Sequence, residues 1–285
     1  DSFTSTMKLH IRNEYSPLKT VIVGTGKSVP PYEKYLKSDM DYRKEDPSTR
    51  PYDKKLLQQQ QAAFLKVLKK HKIKLLMVKE EKKLPWQMWT RDIGFVYHDK
   101  FFYCINRGLK EREGEFESIA DHFSKNSKQI ISINTGKLEG GDVVVDKDII
   151  FIGISRRTSD EAVKIVEKYF PVKRLNLGNS VMHLDTRMTL LPNNNLLIYP
   201  EAFQKEDLKY LRNKYHLIPV TKDEAQTLGT NVFIINPKTI VVHKTHTRIH
   251  QELQKRKFKL EIVDYSESIR LEGSFRCTTL PVERK

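Results

Sequence analysis

Cysteine is nearly absent from this chain, which has Cys104 and Cys277 alone among 285 residues. Two isolated cysteines exclude a disulfide framework, and no CxxC pair is present to indicate a structural zinc site. The histidines His243, His246 and His250 straddle a predicted strand end and helix start, and they lack acidic neighbours. We therefore expect no metal, no cofactor and a reducing, cytoplasmic environment, with Cys104 a buried apolar residue at the end of the strand FFYC.

Long apolar runs are also missing. No run approaches the roughly 20 residues that a membrane-spanning helix needs, so no membrane association is expected. The opening residues DSFTSTMKLH lack the apolar core of a secretory signal. Residues 1–6 fit no pattern and are predicted to be an N-terminal tail before a natural start at Met7. The remaining residues, 7–285, are predicted to form a single domain.

Basic residues are abundant, with 51 Lys and Arg against 36 Asp and Glu and a net charge of +15. A nucleic acid or another anionic partner would suit this charge if the basic residues were clustered. They are instead spread along predicted helix faces, often beside Glu, as in solvated surfaces. Nucleic-acid binding is therefore not expected, although a non-enzymatic basic binding module stays open as an alternative. The segment GTGKS from Gly24 lacks the first glycine and the following helix of a phosphate-binding loop.

The chain repeats one cassette, which consists of a strand, a polar turn, a second strand, a helix and a third strand. Hairpin candidates begin at Asp92, Gly141, Asp185 and Thr230, with the turns HDK, DKD, PNNN and NPK. Amphipathic helices follow the last three, and Ser159 is a candidate N-cap of the first of these. Near the N-terminus, SPLKTVIVGTG and KIKLLMV supply strands that would complete a ring with a C-terminal strand.

One polar residue opens each repeat, at intervals of 43 to 50 positions: Asp92, Asp142, Asp185, Asn231 and Cys277. Any one of these residues alone is commonplace at a strand end, but five in register are not. Repeats of this length predict an array or a closed propeller, whose equivalent strand starts meet at the centre. We predict an α/β fold, a five-bladed α/β propeller of ββαβ repeats, with carboxylates, an amide and a thiol around its central channel.

These residues predict a thiol-dependent enzyme. Cys277 needs basic or cationic neighbours to become a thiolate and a proton carrier to expel a leaving group. His183 suits that role, because it stands two positions before Asp185 and would share a strand face with it. Glu139 precedes Gly140 and Gly141 and would orient the histidine or hold a cation. Several carboxylates together favour a planar guanidinium as substrate.

The motifs together resemble the guanidine-modifying superfamily that includes arginine deiminase, dimethylarginine dimethylaminohydrolase, agmatine deiminase and the arginine:glycine amidinotransferases. The segments that carry the resemblance run in family order: WTRD from Trp89, LEGGD from Leu138, IGISRRT from Ile152, HLDT from His183, GTNV from Gly229 and RCTTLPVER from Arg276. HLDT and RCTTLP are similar to arginine deiminase. The short chain, without room for that family's helical insertion, is closer to dimethylarginine dimethylaminohydrolase.

The resemblance implies a five-bladed propeller and a role for each matching position. It makes Cys277 the nucleophile, His183 the general acid and base, and Glu139 its partner and a guanidinium contact. Asp92 and Asp185 would hold the guanidino nitrogens. Asp142 is a further candidate substrate contact, or else it only caps its strand. Two arginines are expected to bind a substrate carboxylate: Arg157 and, in CINRGLKEREGE, Arg107.

The predicted activity is hydrolysis of the guanidino group of arginine or a methylated arginine, through a covalent thiouronium, to citrulline. The alternative is an amidinotransferase that passes the amidino group to an amine. Agmatine or peptidyl arginine are further substrate candidates, and the two arginines favour a free amino acid. The expected partner is a small guanidino molecule, and a homodimer is also considered.

Overall fold

The computed structural model describes residues 7–37, 51–105, 108–178 and 180–285. Within these residues the strands form five three-stranded sheets. Their members are β1 Leu18–Val23, β2 Lys74–Met77, β3 Gly94–Tyr97, β4 Lys100–Cys104, β5 Ile130–Ile133, β6 Val143–Asp146, β7 Ile149–Ile154, β8 Val172–Asn176, β9 Met188–Leu191, β10 Asn195–Ile198, β11 His216–Pro219, β12 Phe233–Asn236, β13 Thr239–His243, β14 Lys259–Val263 and β15 Leu280–Arg284.

Every sheet repeats the same topology. In the sheet of β6, β7 and β8, β6 pairs antiparallel with β7, and β7 pairs parallel with β8. The same arrangement holds for β3–β4–β5, β9–β10–β11 and β12–β13–β14. A parallel pair needs a long crossover connection, which is why the sequence between the second and third strand of each repeat carries helical segments. All four predicted hairpins are therefore confirmed.

The fifth sheet joins the two ends of the chain. Strand β1 pairs antiparallel with β15, where Leu18 lies opposite Arg284, and parallel with β2, where Thr20 lies opposite Lys74. This sheet has the order β15–β1–β2 and thus the same pattern as the others. The predicted closure of a five-bladed α/β propeller by the N-terminal and C-terminal strands is confirmed.

Burial falls from the first to the third strand of a sheet. All residues of β3, β6 and β9 are buried, whereas the third strands β2, β5 and β11 are largely half-buried or exposed. The first strands therefore lie innermost, around the axis of the ring. Strands buried on both faces read as continuous apolar runs, which explains segments such as VVV and MTLL.

The helices pack outside the strands and are short apart from one. Lys54 to Lys70 forms a helix whose start is capped by Asp53, since its carboxylate accepts the backbone N–H groups of Lys55 and Leu56 at 2.8 and 3.1 Å. Its apolar stripe includes Leu57, Phe64 and Leu68, and all three are buried. The helices in chain order are α1 Tyr32–Lys37, α2 Lys54–Lys70, α3 Glu117–Ala120, α4 Asp160–Val166, α5 Lys205–Lys214, α6 Lys222–Gln226, α7 Thr247–Lys255 and α8 Ser266–Arg270.

The predicted N-cap position of Ser159 in α4 is confirmed, although its hydroxyl accepts the N–H of Lys137 at 3.1 Å and makes no cap bond. One local expectation needs correction. His183 and Asp185 do not share a strand face, because Leu184–Thr186 forms a single 3-10 turn ahead of β9. Similar turns, Thr90–Ile93 and Gly140–Asp142, precede β3 and β6. The polar residues that recur in the sequence therefore belong to turns at one end of the inner strands. Across the described ranges no helix has the length and apolarity to cross a bilayer.

Candidate active site

A cleft of about 550 Å³ lies beside these turns. Its walls bring together residues from five of the predicted motifs, among them Asp92, Glu139, Arg157, His183 and Cys277. Trp86 and Trp89 add apolar surface to the wall. The cleft therefore combines a thiol, a histidine and carboxylates with an apolar side. Of the five residues in register, Asp92 and Cys277 line it, whereas Asp142, Asp185 and Asn231 do not.

Cys277 is held in a turn just before β15. Its carbonyl accepts the backbone N–H of Arg91 at 3.1 Å, and the hydroxyl of Thr279 donates to the carbonyl of Phe275 at 3.0 Å. The ring of Phe275 stacks on Tyr265 with a centroid separation of 4.5 Å, and Tyr265 also hydrogen-bonds Thr278 at 2.8 Å. Apolar packing on one side and backbone bonds on the other therefore fix the position of the thiol.

The surroundings of the Cys277 thiol disfavour its ionisation. Only 3% of the residue is exposed, and Sγ lies 3.9 Å from a carboxylate oxygen of Asp185. Burial raises the pKa of Cys277 well above its usual value, and the charges of Asp185 and then Asp92 raise it further. The amide of Asn231 donates toward Sγ at 3.4 Å, and Arg276 favours the thiolate. Without a bound cation the thiol is the stable form.

His183 is the opposite case, because its surroundings favour the charged form. Nε2 lies 2.6 Å from Oε2 of Glu139, and Nδ1 lies 3.7 Å from Oδ1 of Asp92. Burial alone would lower the pKa of His183, but Asp92 and then the bond to Glu139 outweigh it and raise that pKa to about 9. His183 is therefore an imidazolium at neutral pH, which suits a proton donor in a cleft.

Two glycines let the histidine approach the turns. A side-chain carbon added at Gly141 would lie 2.7 Å from the His183 ring and 2.9 Å from Oδ1 of Asp92. One added at Gly140 would lie 2.1 Å from the carbonyl oxygen of Arg91. The glycines of LEGGD thus permit close packing of the turns.

Arg157 and Glu139 face each other, with Nη1 and Oε1 3.6 Å apart, and both line the cleft. Arg107 lies outside the described residues. Arg112, in the same segment, lines the cleft and was not among the predicted site residues. Arg112 donates to Oδ2 of Asp92 at 2.6 Å and to Glu115 at 3.0 Å, and it is buried. It thereby anchors one of the two carboxylates that hold His183.

Asp142 is not brought into the cleft as a substrate contact. Its carboxylate accepts the hydroxyl of Ser155 at 2.7 Å and the backbone N–H of Leu184 at 3.0 Å. Burial raises the pKa of Asp142 to about 7 despite these bonds and the charge of His183. The alternative reading as a cap is the one that this geometry supports, since Asp142 joins the turn before β6 to the turn before β9.

Behind the thiol lies a chain of charges that the sequence did not reveal. Arg276 approaches Asp185 at 3.8 Å on one side and Glu14 at 2.9 Å on the other. Burial raises the pKa of Asp185 to about 6 even though Arg276 opposes the shift. Burial also favours protonation of Glu14, but Arg276 and Arg91 outweigh it and lower that pKa to about 2. Glu14 lies outside every recognised motif.

The geometry also bears on metal binding. Asp92, Glu139 and His183 each offer a ligand atom, and these atoms lie within 4.8 Å of one another. Arg112 and Arg157 stand beside the same carboxylates and compete for them. The set therefore fits an organic cation that forms hydrogen bonds at least as well as a metal ion.

The second histidine group is tied to other partners. Nδ1 of His243 accepts the N–H of Tyr265 at 3.0 Å, and His250 Nε2 lies 2.9 Å from the carbonyl of His243. Nε2 of His246 is 3.0 Å from the hydroxyl of Thr227. These contacts fix the end of β13 against the start of α7. Cys104 is likewise buried, as expected, with Sγ 3.6 Å from the carbonyl of Gly136.

The sequence of the chain matches a known protein family. The family model described as eukaryotic N,N dimethylarginine dimethylhydrolase matches residues 37–284. The chain belongs to this family. The dimethylarginine dimethylhydrolase family is part of the guanidino-modifying superfamily, so the resemblance read from the sequence is confirmed.

Relatives of this dimethylarginine dimethylhydrolase family member include an uncharacterized protein and an arginine deiminase. The uncharacterized protein YkgA of Bacillus subtilis is 34% identical over 230 residues, 79% of each chain. An arginine deiminase of Streptococcus pyogenes is 26% identical over 196 residues, which cover 53% of this chain and 47% of that enzyme.

Solved structures share the fold at lower identity. The dimethylarginine dimethylaminohydrolase of Pseudomonas aeruginosa, solved with citrulline, has a TM-score of 0.78 and 19% identity, with 93% of this chain and 99% of that chain covered. SxtG, an amidinotransferase of Microseira wollei, also has a TM-score of 0.78, with 18% identity and 97% of each chain covered. Hydrolases and amidinotransferases of guanidino groups therefore share this propeller.

Proposed function

We propose that the protein hydrolyses the guanidino group of free arginine or a methylated arginine, with Cys277 as nucleophile. One observation carries the proposal: the Cys277 thiol and the His183 imidazolium line the same cleft, each beside a buried carboxylate. Such a cleft suits a planar cation, because carboxylates pair with guanidinium through two hydrogen bonds. Asp92 and Asp185 are the expected contacts to the guanidino nitrogens.

Substrate binding would activate the nucleophile. The negative charges of Asp185 and Asp92 oppose ionisation of Cys277 in the empty cleft. A guanidinium that pairs with these two carboxylates cancels much of that opposition, so the thiolate becomes accessible once the substrate is in place. Asn231 and Arg276, beside the thiol, support the charged form. The enzyme would thus hold a reactive thiolate mainly when its substrate is bound.

The reaction then runs in two halves. Sγ of Cys277 forms a bond to the guanidino carbon, and the C–N bond breaks as ammonia or an alkylamine departs with the proton of His183. The cationic thiouronium is left bound to Sγ, and His183 is neutral. Water attacks the same carbon as His183 takes one of its protons. The C–S bond then breaks as the remaining hydroxyl proton passes to Sγ, which releases the ureido product, citrulline, and the Cys277 thiol. Glu139 and Asp92 orient the imidazole throughout.

A free amino acid is the favoured substrate because arginines accompany the acidic cleft. Arg157 lines the wall near Glu139 and is suited to a substrate carboxylate, and Arg112 lines the same wall from the Asp92 side. Agmatine lacks that carboxylate. The assignment of Arg107 to this role stays a prediction.

An amidinotransferase is the second candidate, since SxtG shares the fold over almost the whole chain. It would form the same thiouronium and differ only in the acceptor, an amine in place of water. The non-enzymatic binding module remains the least favoured reading, because it gives no role to the buried thiol, histidine and carboxylates.

The test is product analysis with matched cysteine variants. The purified chain is incubated with arginine, mono- and dimethylarginine and agmatine, with and without glycine, and ureido product, released amine and amidino-glycine are measured. We expect ureido product from one of the arginines, its loss in Cys277→Ser and its retention in the control Cys104→Ser. Amidino-glycine in place of ureido product would favour the transferase. Full activity in Cys277→Ser, or inert substrates throughout, would refute the proposal.

A further inference from the structure

A second cavity adjoins Arg91, whose backbone N–H donates to the carbonyl of Cys277. It is narrow, with room for about one molecule of the size of water, and is lined by Glu14, Arg91 and Arg284 among apolar side chains of the inner strands, such as Phe95 and Val143. We call this cavity the channel site. None of its lining residues lines the cleft that holds the thiol.

Positive charge exceeds negative charge around the channel site. Arg91, Arg276 and Arg284 are 4%, 1% and 2% exposed, so water cannot screen them. The acids beside them are Glu14 and Asp185, so three positive charges face two negative ones. Glu14 pairs with Arg276 at 2.9 Å. Over the described residues, neither Arg91 nor Arg284 forms an ion pair with a carboxylate. Buried charges are normally paired, so two such guanidinium groups at one cavity require a counter-charge.

The hydrogen bonds of these arginines are also incomplete. Arg284 donates to the carbonyls of Ser16 and Ile234 at 2.7 and 2.8 Å, and Nε of Arg91 donates to the carbonyl of Arg276 at 3.2 Å. Nη2 of Arg91 and Nε of Arg284 are buried and find no acceptor in the described part of the chain. Burial, opposed only in part by Glu14, lowers the pKa of Arg91 to about 10 and that of Arg284 to about 9. An anion would supply both the acceptor and the charge.

We propose that the channel site binds a small monovalent anion of the size and chemistry of chloride, held between Arg91 and Arg284. The cavity is small and its walls are otherwise apolar, which suits a single weakly hydrated ion better than a polyatomic oxyanion. Glu14 limits the affinity by repulsion. Because Arg91 also donates to the carbonyls of Cys277 and Arg276, the bound anion stabilises the loop that carries the thiol.

Bromide provides the direct test, since it replaces chloride and scatters X-rays anomalously. Crystals of the unmodified protein grown in bromide are expected to give an anomalous peak between the guanidinium groups of Arg91 and Arg284. In solution, the Tm is measured as bromide replaces gluconate at constant ionic strength. A ligand that binds the folded state raises the Tm with the logarithm of its concentration above saturation. The absence of a peak at this position, or the same Tm in both salts, overturns the proposal.

Variants separate this site from general salt effects. Glu14→Gln removes the repulsive carboxylate and should lower, by at least about tenfold, the bromide concentration at which the Tm starts to rise, a difference in binding free energy of about 1.4 kcal/mol. Arg284→Met should abolish the rise, whereas the control Arg174→Met, which alters a surface ion pair with Glu167, should keep it. A bromide effect that survives Arg284→Met would place the ion elsewhere. If Arg284→Met does not fold, the crystal measurement decides.

Discussion

Replacing Asp185 by asparagine should make Cys277 ionise more readily in the empty enzyme. The substitution keeps the shape of the side chain and removes one negative charge 3.9 Å from Sγ. At that distance a unit charge contributes about 4 kcal/mol with an effective dielectric constant of about 20. Arg276, 3.8 Å from the same carboxylate, already offsets part of this charge, so we expect roughly half of it, about 2 kcal/mol.

A change of about 2 kcal/mol in the ionisation free energy of Cys277 corresponds to roughly thirtyfold more thiolate at a fixed pH below the pKa of the thiol. The assay is alkylation by iodoacetamide, a small uncharged reagent, followed by mass spectrometry as a function of pH. A Cys104→Ser background leaves one thiol in the chain. Asp185→Asn should shift the rate profile of Cys277 to lower pH, although it weakens substrate binding.

Asp142→Asn is the matched control. It also removes a buried carboxylate from a turn of the ring, but Asp142 bonds Ser155 and Leu184 and is not a contact of the thiol. Its alkylation profile should stay close to that of the parent. If Asp185→Asn leaves the profile unchanged or moves it to higher pH, the electrostatic account of the thiol is wrong.

Four further predictions follow from the site. Gly141→Ala should lower kcat by about a hundredfold or more with a folded protein by circular dichroism, because the added carbon displaces His183. Arg112→Met should lower kcat/KM at least as much, since it leaves the buried Asp92 without its partner, a loss of about 3 kcal/mol. Activity should decline as pH rises through about 9, where His183 loses its proton, and an unchanged rate well above that pH would contradict its role as the acid. The pKa of Glu14, lowered to about 2 by its arginines, gives stability that is present above about 4.5 and lost as pH falls toward 2. Glu14→Gln should therefore destabilise by about 3 kcal/mol at neutral pH and progressively less in acid, as measured by denaturant unfolding.

The propeller was predictable because each repeat has a local sequence pattern of apolar runs and polar turns. Each hairpin joins two apolar runs through a polar turn, and the turn residues at Asn193 and Asn194 adopt the positive φ that this residue type tolerates. The period of the opening polar residues then gave the number of blades. The 3-10 turns were not predicted, because one turn of helix ahead of a buried strand leaves no periodicity to read.

The site residues that were not predicted, Arg112 and Glu14, escaped prediction for the same physical reason. Arg112 and Arg107 stand in the same polar stretch, and only the tertiary position of Asp92 makes Arg112 a buried, paired residue. Glu14 pairs with Arg276, which lies 262 positions later in the sequence. Ion pairs between distant segments leave no local pattern, so burial, rather than residue type, distinguishes these side chains from solvated ones. For Asp142 the sequence pattern was misleading instead, because its position in the repeat did not bring its carboxylate into the cleft.

The sheet built from both ends of the chain has a consequence for folding kinetics. Strand β15 is fixed only when it pairs with β1, where Leu18 lies opposite Arg284. Contacts so far apart in sequence form slowly, because the intervening chain has to be ordered first. Cys277 lies just ahead of β15, so its thiol stays accessible until this step is complete. The rate at which Cys277 becomes protected from a thiol reagent during refolding would thus time the closure of the ring itself, apart from the formation of the individual blades.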